Sequence, residues 1–218
     1  MSAMAFTGRR LDGDEERGAA LVAVLLSTVM VSAIGAALTV TANTESTIAS
    51  SFRIDRELAY AAEAAVELAI QDVRLAPRWD DLLNGTQATT FLDQSAVPVL
   101  PTGGSLDLRA LTGRVQAATN ARIAGPNTPQ WQLVASGRLA DIAGRGSIES
   151  PAYLVVWVAD DVSETDGNPA ADSNDVIVVR GEAVGSGGRT RTLDVTVTRA
   201  GIPAGQPGLR VISWREVR

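Results

Sequence analysis

The stretch ERGAALVAVLLSTVMVSAIGAALTVTANTE, from Glu16 to Glu45, decides how the fold is interpreted. After Arg17 it carries no charged side chain until Glu45. A helix needs about 20 apolar residues to cross the hydrocarbon core of a bilayer, whereas the apolar part of a cleaved secretory signal has only about 7–15. The stretch therefore predicts a membrane-spanning helix over residues 19–42 rather than an ordinary secretory signal.

Basic residues are distributed unequally on the two sides of this helix. Arg9, Arg10 and Arg17 precede it, and the next basic residue is Arg53. Because basic residues flanking a membrane segment favour the cytoplasmic side, residues 1–18 are predicted to be a cytoplasmic leader. The same rule predicts a single-pass topology in which the C-terminal part of the chain is extracytoplasmic.

The composition excludes many kinds of catalytic chemistry. The 218 residues include no His and no Cys, and all 19 basic residues are Arg. The chain therefore has no imidazole base, no thiolate and no lysine for a Schiff base. With a net charge of −6 and no basic patch, it also lacks the usual features of a nucleic-acid-binding protein. We expect a protein that is not an enzyme, requires no cofactor and makes no nucleic-acid contact.

The helix is predicted to continue beyond the membrane as an amphipathic segment over residues 43–76. Pro77 is expected to end it, because proline cannot continue a helical ladder. Glu57, Glu63 and Glu67 belong to its polar faces. Its apolar positions recur mostly every three or four residues, at Ile48, Phe52, Ala59, Ala62, Val66, Ala69 and Val73.

Residues 77–218 are predicted to form a globular domain with a β-sheet from about residue 130. A short helix is expected after a cap at Ser105 or Asp107, and a loop precedes the first strand. Gly185-Ser186-Gly187-Gly188 is expected to be a hairpin turn. The predicted strands are WQLVASGRL, AYLVVWVAD, DVIVVRGEAVG, RTRTLDVTVTRA and a C-terminal edge strand in GLRVISWREVR. A long helix followed by a mainly antiparallel sheet is an α+β fold.

The N-terminal half resembles the type IV minor pilins of the PilX kind. In that family a basic residue and a Gly precede an apolar helix, a Glu lies near the end of the helix, and an Ala-Ala-Glu-Ala stretch follows an aromatic residue. Arg17-Gly18, Glu45 and Tyr60-Ala61-Ala62-Glu63-Ala64 match this order. The match extends from about Glu16 to Val73.

The resemblance implies that a prepilin peptidase removes the leader by cutting between Gly18 and Ala19. The protein would first reside in the bacterial inner membrane, with its C-terminal pilin-like domain exported, and then enter an extracellular filament. Its partners would be other major and minor pilins, contacted through the N-terminal helix, and the inner-membrane assembly platform. Residues implied in the filament core are Leu21, Val22, Leu25, Leu26, Val29, Val31 and Ile34.

Two alternatives to a minor pilin remain open. Ala23 occupies the fifth position of the implied mature chain, where major pilins carry Glu, which disfavours a repeating major subunit. A minor pseudopilin of type II secretion is the first alternative, because such proteins can also lack this Glu. The second alternative, a single-pass membrane-anchored binding or sensor ectodomain, is also compatible with the residues. A hydrolase using Asp160, Asp161 or Asp166 is disfavoured, because no second catalytic motif accompanies these residues.

An acidic segment separates the two best strand candidates. ADDVSETDGNPAADSND contains six carboxylates and no basic residue. One interpretation is a solvated loop, and the other is a calcium site, because Ca²⁺ takes several oxygen ligands from flexible loops. The spacing does not fit an EF-hand. The calcium ligands predicted from the sequence are Asp161, Glu164, Asp166 and Asn168, completed by Asp172 or Asp175.

Overall fold

The structure is a computed structural model with two compact units, residues 1–52 and 53–218. Residues 1–12, which contain most of the predicted leader, lie outside the described part of the chain. The first helix, α1 (Gly13–Leu75), contributes to both units, which are considered separately below. The structure describes residues 13–89, 91, 93, 95–123, 125, 127–142, 150–199, 201–203 and 208–217.

The second unit confirms the α+β fold class, because it combines helices with a five-stranded antiparallel sheet. The strands follow one another in the order β1-β2-β3-β4-β5, so each pairs with its neighbour in the chain. The helices after α1 are α2 (Asp80–Leu83), α3 (Leu108–Asn120) and α4 (Leu139–Ile142). The strands are β1 (Gln132–Arg138), β2 (Tyr153–Asp160), β3 (Val176–Val184), β4 (Thr190–Thr198) and β5 (Arg210–Val217).

Several sequence predictions of local structure are confirmed. Every residue of β2 is buried, as expected for a continuous apolar run of strand length. Gly187 and Gly188 have positive φ angles of 68° and 72° in the turn between β3 and β4, a conformation that glycine adopts without steric cost. Of the two candidate caps for α3, Ser105 and Asp107, the structure uses Asp107, whose carboxylate accepts a hydrogen bond of 2.8 Å from the Ala110 amide. β5 is the exposed edge strand.

One face of the sheet packs against the part of α1 that belongs to the second unit. The predicted stripe is confirmed for Ala62, Val66, Ala69 and Val73, which are buried. Ile48 and Phe52, which lie in the first unit, are exposed, and Ala59 is partly buried. Sequence periodicity did not single out three further buried positions of this face, Leu58, Ala61 and Ala65.

Small side chains allow β3 to approach α1 closely. A Cβ atom at Gly181 would lie 2.6 Å from Val66 Cγ2 and 3.1 Å from the Ala62 carbonyl oxygen. The backbone of α1 cannot move away from such a contact without disturbing the buried stripe. Gly181 is therefore required by helix–sheet packing rather than by its backbone angles.

We expect Gly181→Ala to destabilise the second unit by about 1–3 kcal/mol, the usual cost of an overpacked core. Gly113→Ala is the matched control, because Gly113 lies within α3 and a Cβ there meets nothing within 4 Å. Since Ala is a better helix former than Gly, this control should stabilise by about 0.5–1 kcal/mol. Thermal unfolding of the two variants measures the effects, and shifts of the same sign would contradict the packing argument.

The opposite face of the sheet carries a second core beneath α3. Leu108, Leu111 and Val115 of α3 pack in the same cluster as Trp131 and Trp157. Both indole N–H groups are satisfied by hydroxyls of α3, because Trp157 donates to Thr112 at 2.9 Å and Trp131 donates to Thr119 at 2.8 Å. The sheet is thus covered on both faces, which explains why β2 is buried throughout.

Candidate functional site

The first candidate site is the surface of α1 within the first unit. All the residues implied in a filament core are between 55% and 69% exposed there, although they are large and apolar. Contiguous exposed apolar surface of this kind is typical of membrane or protein interaction sites. The residues concerned are Leu21, Val22, Leu25, Leu26, Val29, Val31 and Ile34.

Polar groups within this helix are satisfied locally. Ser27 and Thr28 donate to the carbonyl oxygens of Ala23 and Val24, each at 2.8 Å, and Thr39 donates to a carbonyl one turn earlier at 2.9 Å. Hydroxyls bonded in this way cost little in an apolar environment, because they leave no unpaired donor. Among the described residues, α1 is the one helix long and apolar enough to cross a membrane, with a mean hydropathy of 2.4 in its most apolar window.

Gly18 and Ala19, the implied cleavage pair, lie on exposed helical backbone. A Cβ atom at Gly18 would meet no atom within 4 Å, and its φ angle is not positive. A glycine within a helix costs about 0.5–1 kcal/mol relative to alanine. Neither packing nor backbone angle in the structure therefore requires glycine at position 18.

The second candidate site is a cluster of three carboxylates where β2 ends. Asp160 is the last residue of β2, and Asp161 and Glu164 follow in the loop to β3. One oxygen from each carboxylate lies within 4.8 Å of the others, and the three residues are 0%, 7% and 7% exposed. Two like charges about 4 Å apart repel by about 4 kcal/mol at an effective dielectric constant of about 20, so this arrangement needs compensation.

The hydrogen bonds within the described residues provide only part of that compensation. The Asp160 carboxylate accepts from the Asp161 amide at 2.9 Å, and the Asp161 carboxylate accepts from the Asn174 side chain at 2.7 Å. Glu164 Oε1 accepts from the Ser173 and Asn174 amides at 2.7 Å and 2.8 Å. Among the described residues, none of the three carboxylates forms a salt bridge. Within the described part of the chain, every donor to the cluster is therefore a neutral N–H group.

Two oxygens at the cluster are buried without any hydrogen-bond partner in the described structure. They are Oε2 of Glu164 and Oδ1 of Asn127, and Asn127 is only 5% exposed. The Asn127 side chain reaches the cluster from the loop before β1, since its Nδ2 lies 3.5 Å from Asp160 Oδ2. Oδ1 of Asn174 is a third oxygen without a partner. Such groups are rare in folded proteins, and each one calls for a physical explanation.

Burial and neighbouring charge alter the acidity of this region. Burial, followed by the charge of Glu164, raises the pKa of Asp160 to about 7. Burial also raises the pKa of Asp172 to about 6, with smaller contributions from the charges of Asp175 and Glu164. Removal from water disfavours the charged form of a carboxyl, and a nearby negative charge has the same effect.

The structure brings together only part of the calcium-ligand set predicted from the sequence. Asp161 and Glu164 belong to the cluster, and Asp160 joins them. Asp166 and Asn168 are exposed, and the Asp166 carboxylate accepts a hydrogen bond from the Asn168 amide at 3.0 Å in a local turn. The remaining two predicted ligands, Asp172 and Asp175, lie outside the group of three.

Asp172 and Asp175 also differ from the cluster in their electrostatic surroundings. The charges of both carboxylates act on the nearby Arg199 guanidinium. The Arg199 guanidinium itself donates to the carbonyl oxygens of Val73 and Ala76 at the end of α1. These two carboxylates therefore have a basic neighbour, whereas the three buried ones at the end of β2 form no salt bridge with any described residue.

Comparison with known proteins gave no match. No family model, no curated protein and no solved structure matches this chain.

Sequence reasoning missed Asn127 as a member of the carboxylate cluster. Asn127 lies 33 residues before Asp160 in the chain, and no local spacing pattern links a loop before β1 to the end of β2. The pairing of β1 with β2 brings the two segments together, because Gln132 lies opposite Val158. Knowledge of the sheet order would have been the only signal for this contact.

Proposed function

We propose that this protein is a minor pilin or pseudopilin, a structural subunit that takes part in initiating or assembling a type IV pilus or a related filament. One observation gives this function its main support. The apolar surface of α1 from Ala19 to Val40 is exposed all round, and the same helix continues to Leu75 in the unit that contains the sheet. Because such a surface is unfavourable in water, it requires either lipid or equivalent helices around it.

The proposed mechanism uses these two environments in succession. The helix first anchors the subunit in the inner membrane, with the leader in the cytoplasm and the sheet domain outside. It then leaves the lipid by packing against the N-terminal helices of other major and minor pilins, recruited by the assembly platform. The hydroxyls of Ser27 and Thr28, already bonded within the helix, favour burial in either environment. The protein makes and breaks no covalent bond.

Ala23 supports a minor rather than a major role for the subunit. The fifth position of the proposed mature chain carries no carboxylate, and residues 18–44 contain no charged side chain at all. A subunit without that charge is less suited to the role of the major, repeating subunit.

Removal of the leader tests this function directly. The native protein should begin at Ala19, and mass spectrometry of its N-terminal peptide would show this. Gly18→Val should leave the leader attached, if the peptidase needs glycine there, because a larger side chain would obstruct its active site. The helix itself should tolerate valine at this position, since nothing lies within 4 Å of a Cβ atom at Gly18.

Gly35→Val is the matched control, because Gly35 also lies in α1 with nothing within 4 Å of its Cβ position. This control should be processed like the native protein. A native protein that retains residues 1–18 would refute the filament function and favour a permanently anchored binding or sensor ectodomain. Normal processing of Gly18→Val would also contradict the proposal.

A further inference from the structure

We propose that the three carboxylates of Asp160, Asp161 and Glu164 form a binding site for one Ca²⁺ ion, completed by the side-chain oxygen of Asn127. This site is independent of the filament function. It differs from the ligand set predicted from the sequence, because it adds the buried residues Asp160 and Asn127. It omits the other predicted ligands, which are Asp166, Asn168, Asp172 and Asp175.

The spacing of the carboxylates fits Ca²⁺. Oxygen ligands lie about 2.3–2.6 Å from this ion, so two ligands on opposite sides of it are separated by at most about 5.2 Å. The three carboxylate oxygens lie within 4.8 Å of one another, which allows one ion to reach all of them. Mg²⁺ demands ligands at about 2.1 Å in a nearly octahedral arrangement and keeps several waters, whereas Ca²⁺ accepts a more irregular set of oxygen ligands. Zn²⁺ is disfavoured because no Cys or His is present.

The unpartnered oxygens provide an independent argument for an ion. Glu164 uses Oε1 for two backbone amides and leaves Oε2 free of hydrogen bonds within the cluster. The amide group of Asn127 is buried against Asp160, and its Oδ1 has no partner among the described residues. As it stands, the Asn127 amide directs Nδ2 toward Asp160, and a 180° rotation of the amide group would turn Oδ1 toward a cation there. A cation would satisfy both oxygens, whereas the described residues provide no N–H donor to either of them.

An ion at this position would join three separate segments. Asp160 ends β2, Asn127 belongs to the loop before β1, and Asn174, whose side chain donates to Asp161, lies just before β3. Binding would therefore link the ends of three neighbouring strands. Because the ion binds only the folded arrangement, it should raise the unfolding temperature of the second unit.

The test is a calorimetric titration of CaCl₂ into the full-length protein in detergent, after removal of metal with a chelator. We expect saturable binding of one Ca²⁺ with a Kd of about 10⁻⁴–10⁻³ M, the range of extracellular calcium modules. At ten times the Kd, the unfolding midpoint should rise by about 3–6 °C. MgCl₂ at the same concentrations should bind at least tenfold more weakly. Absence of saturable heat up to about 10 mM CaCl₂, ten times the upper limit of that range, would overturn the proposal.

Substitutions of individual side chains distinguish the proposed ligand set from the one predicted from the sequence. Glu164→Gln should weaken Ca²⁺ binding at least tenfold, and Asn127→Ala should weaken it severalfold by removing an oxygen ligand. Asp166→Asn removes one charge from the same loop and is the matched control, since its carboxylate is exposed and bonded locally. Its Kd should stay within twofold of the native value. A loss in Asp166→Asn equal to that in Glu164→Gln would overturn this site even if the native protein binds calcium.

Discussion

Asp194→Ala should destabilise the second unit by about 3–5 kcal/mol, the usual cost of leaving one member of a buried ion pair alone. The Arg180 guanidinium donates to both carboxylate oxygens of Asp194, at 2.6 Å and 2.7 Å. The two side chains are only 11% and 7% exposed. Arg180 also lies 4.3 Å from the ring centroid of Trp131, so it cannot turn outward without losing that contact. After the substitution, a buried guanidinium would remain without its carboxylate.

Thermal unfolding of the full-length protein measures this effect. For a unit of this size, about 3–5 kcal/mol corresponds to a fall of about 6–20 °C in the unfolding midpoint. Arg215→Ala is the control, because Arg215 donates to the same carboxylate at 3.0 Å but its side chain is 72% exposed. We expect a loss of only about 0–1 kcal/mol there. Equal losses in the two variants would show that burial of the Arg180–Asp194 pair contributes nothing.

A second substitution tests whether the loss of stability in Asp194→Ala comes from the unpaired Arg180 charge. Adding Arg180→Met to Asp194→Ala removes the unpaired charge and leaves an apolar chain over Trp131. Because apolar replacement of a buried ion pair is often neutral or stabilising, the double variant should recover most of the lost stability. A double variant that is less stable than Asp194→Ala would contradict this explanation.

The fold class was predictable because it depends on local patterns. A continuous apolar run predicted β2, the glycine cluster predicted the turn after β3, and proline marked the end of α1. These signals act over fewer than ten residues. Periodicity placed Ile48 and Phe52 in an apolar stripe but could not indicate what covers them, and both are exposed in the structure. Lipid, a neighbouring helix and the sheet all select the same residue types.

The buried charges were less predictable. Asp194 alternates with apolar residues in β4, which is typical of an exposed position, yet it is buried and paired with Arg180, whose guanidinium lies over the Trp131 ring. Counting back from the turn after Val184 would have placed Arg180 opposite Asp194, so hairpin register was an unused signal. The carboxylate cluster is different, because acidic residues in a loop look alike in sequence. The burial of a particular acidic residue depends on contact with Asn127 and on the order of the strands in the sheet. A local sequence pattern contains neither kind of information.

Val31→Asp should remove the subunit from assembled filaments while leaving the sheet domain folded. Val31 lies near the middle of the exposed apolar surface of α1 and is itself 69% exposed. A carboxylate at mid-helix costs about 2.5–3.5 kcal/mol even on scales measured for membrane insertion. Residues 18–44 contain no Arg, so an equivalent helix packed alongside offers no partner for the new charge. If filament packing carries the same cost, incorporation should fall about 60- to 300-fold.

Quantitative immunoblotting of sheared filaments and of the membrane fraction measures this loss. Val31→Leu keeps the apolar character and should be incorporated normally. Thr44→Asp places the same charge at the end of the apolar stretch, beside Glu45, where water or headgroups can solvate it, and should have little effect. The comparison distinguishes a requirement for an apolar helix centre from a general sensitivity to added charge. Wild-type incorporation of Val31→Asp would mean that this surface contacts neither lipid nor neighbouring helices in the filament, and the proposed function would lose its main support.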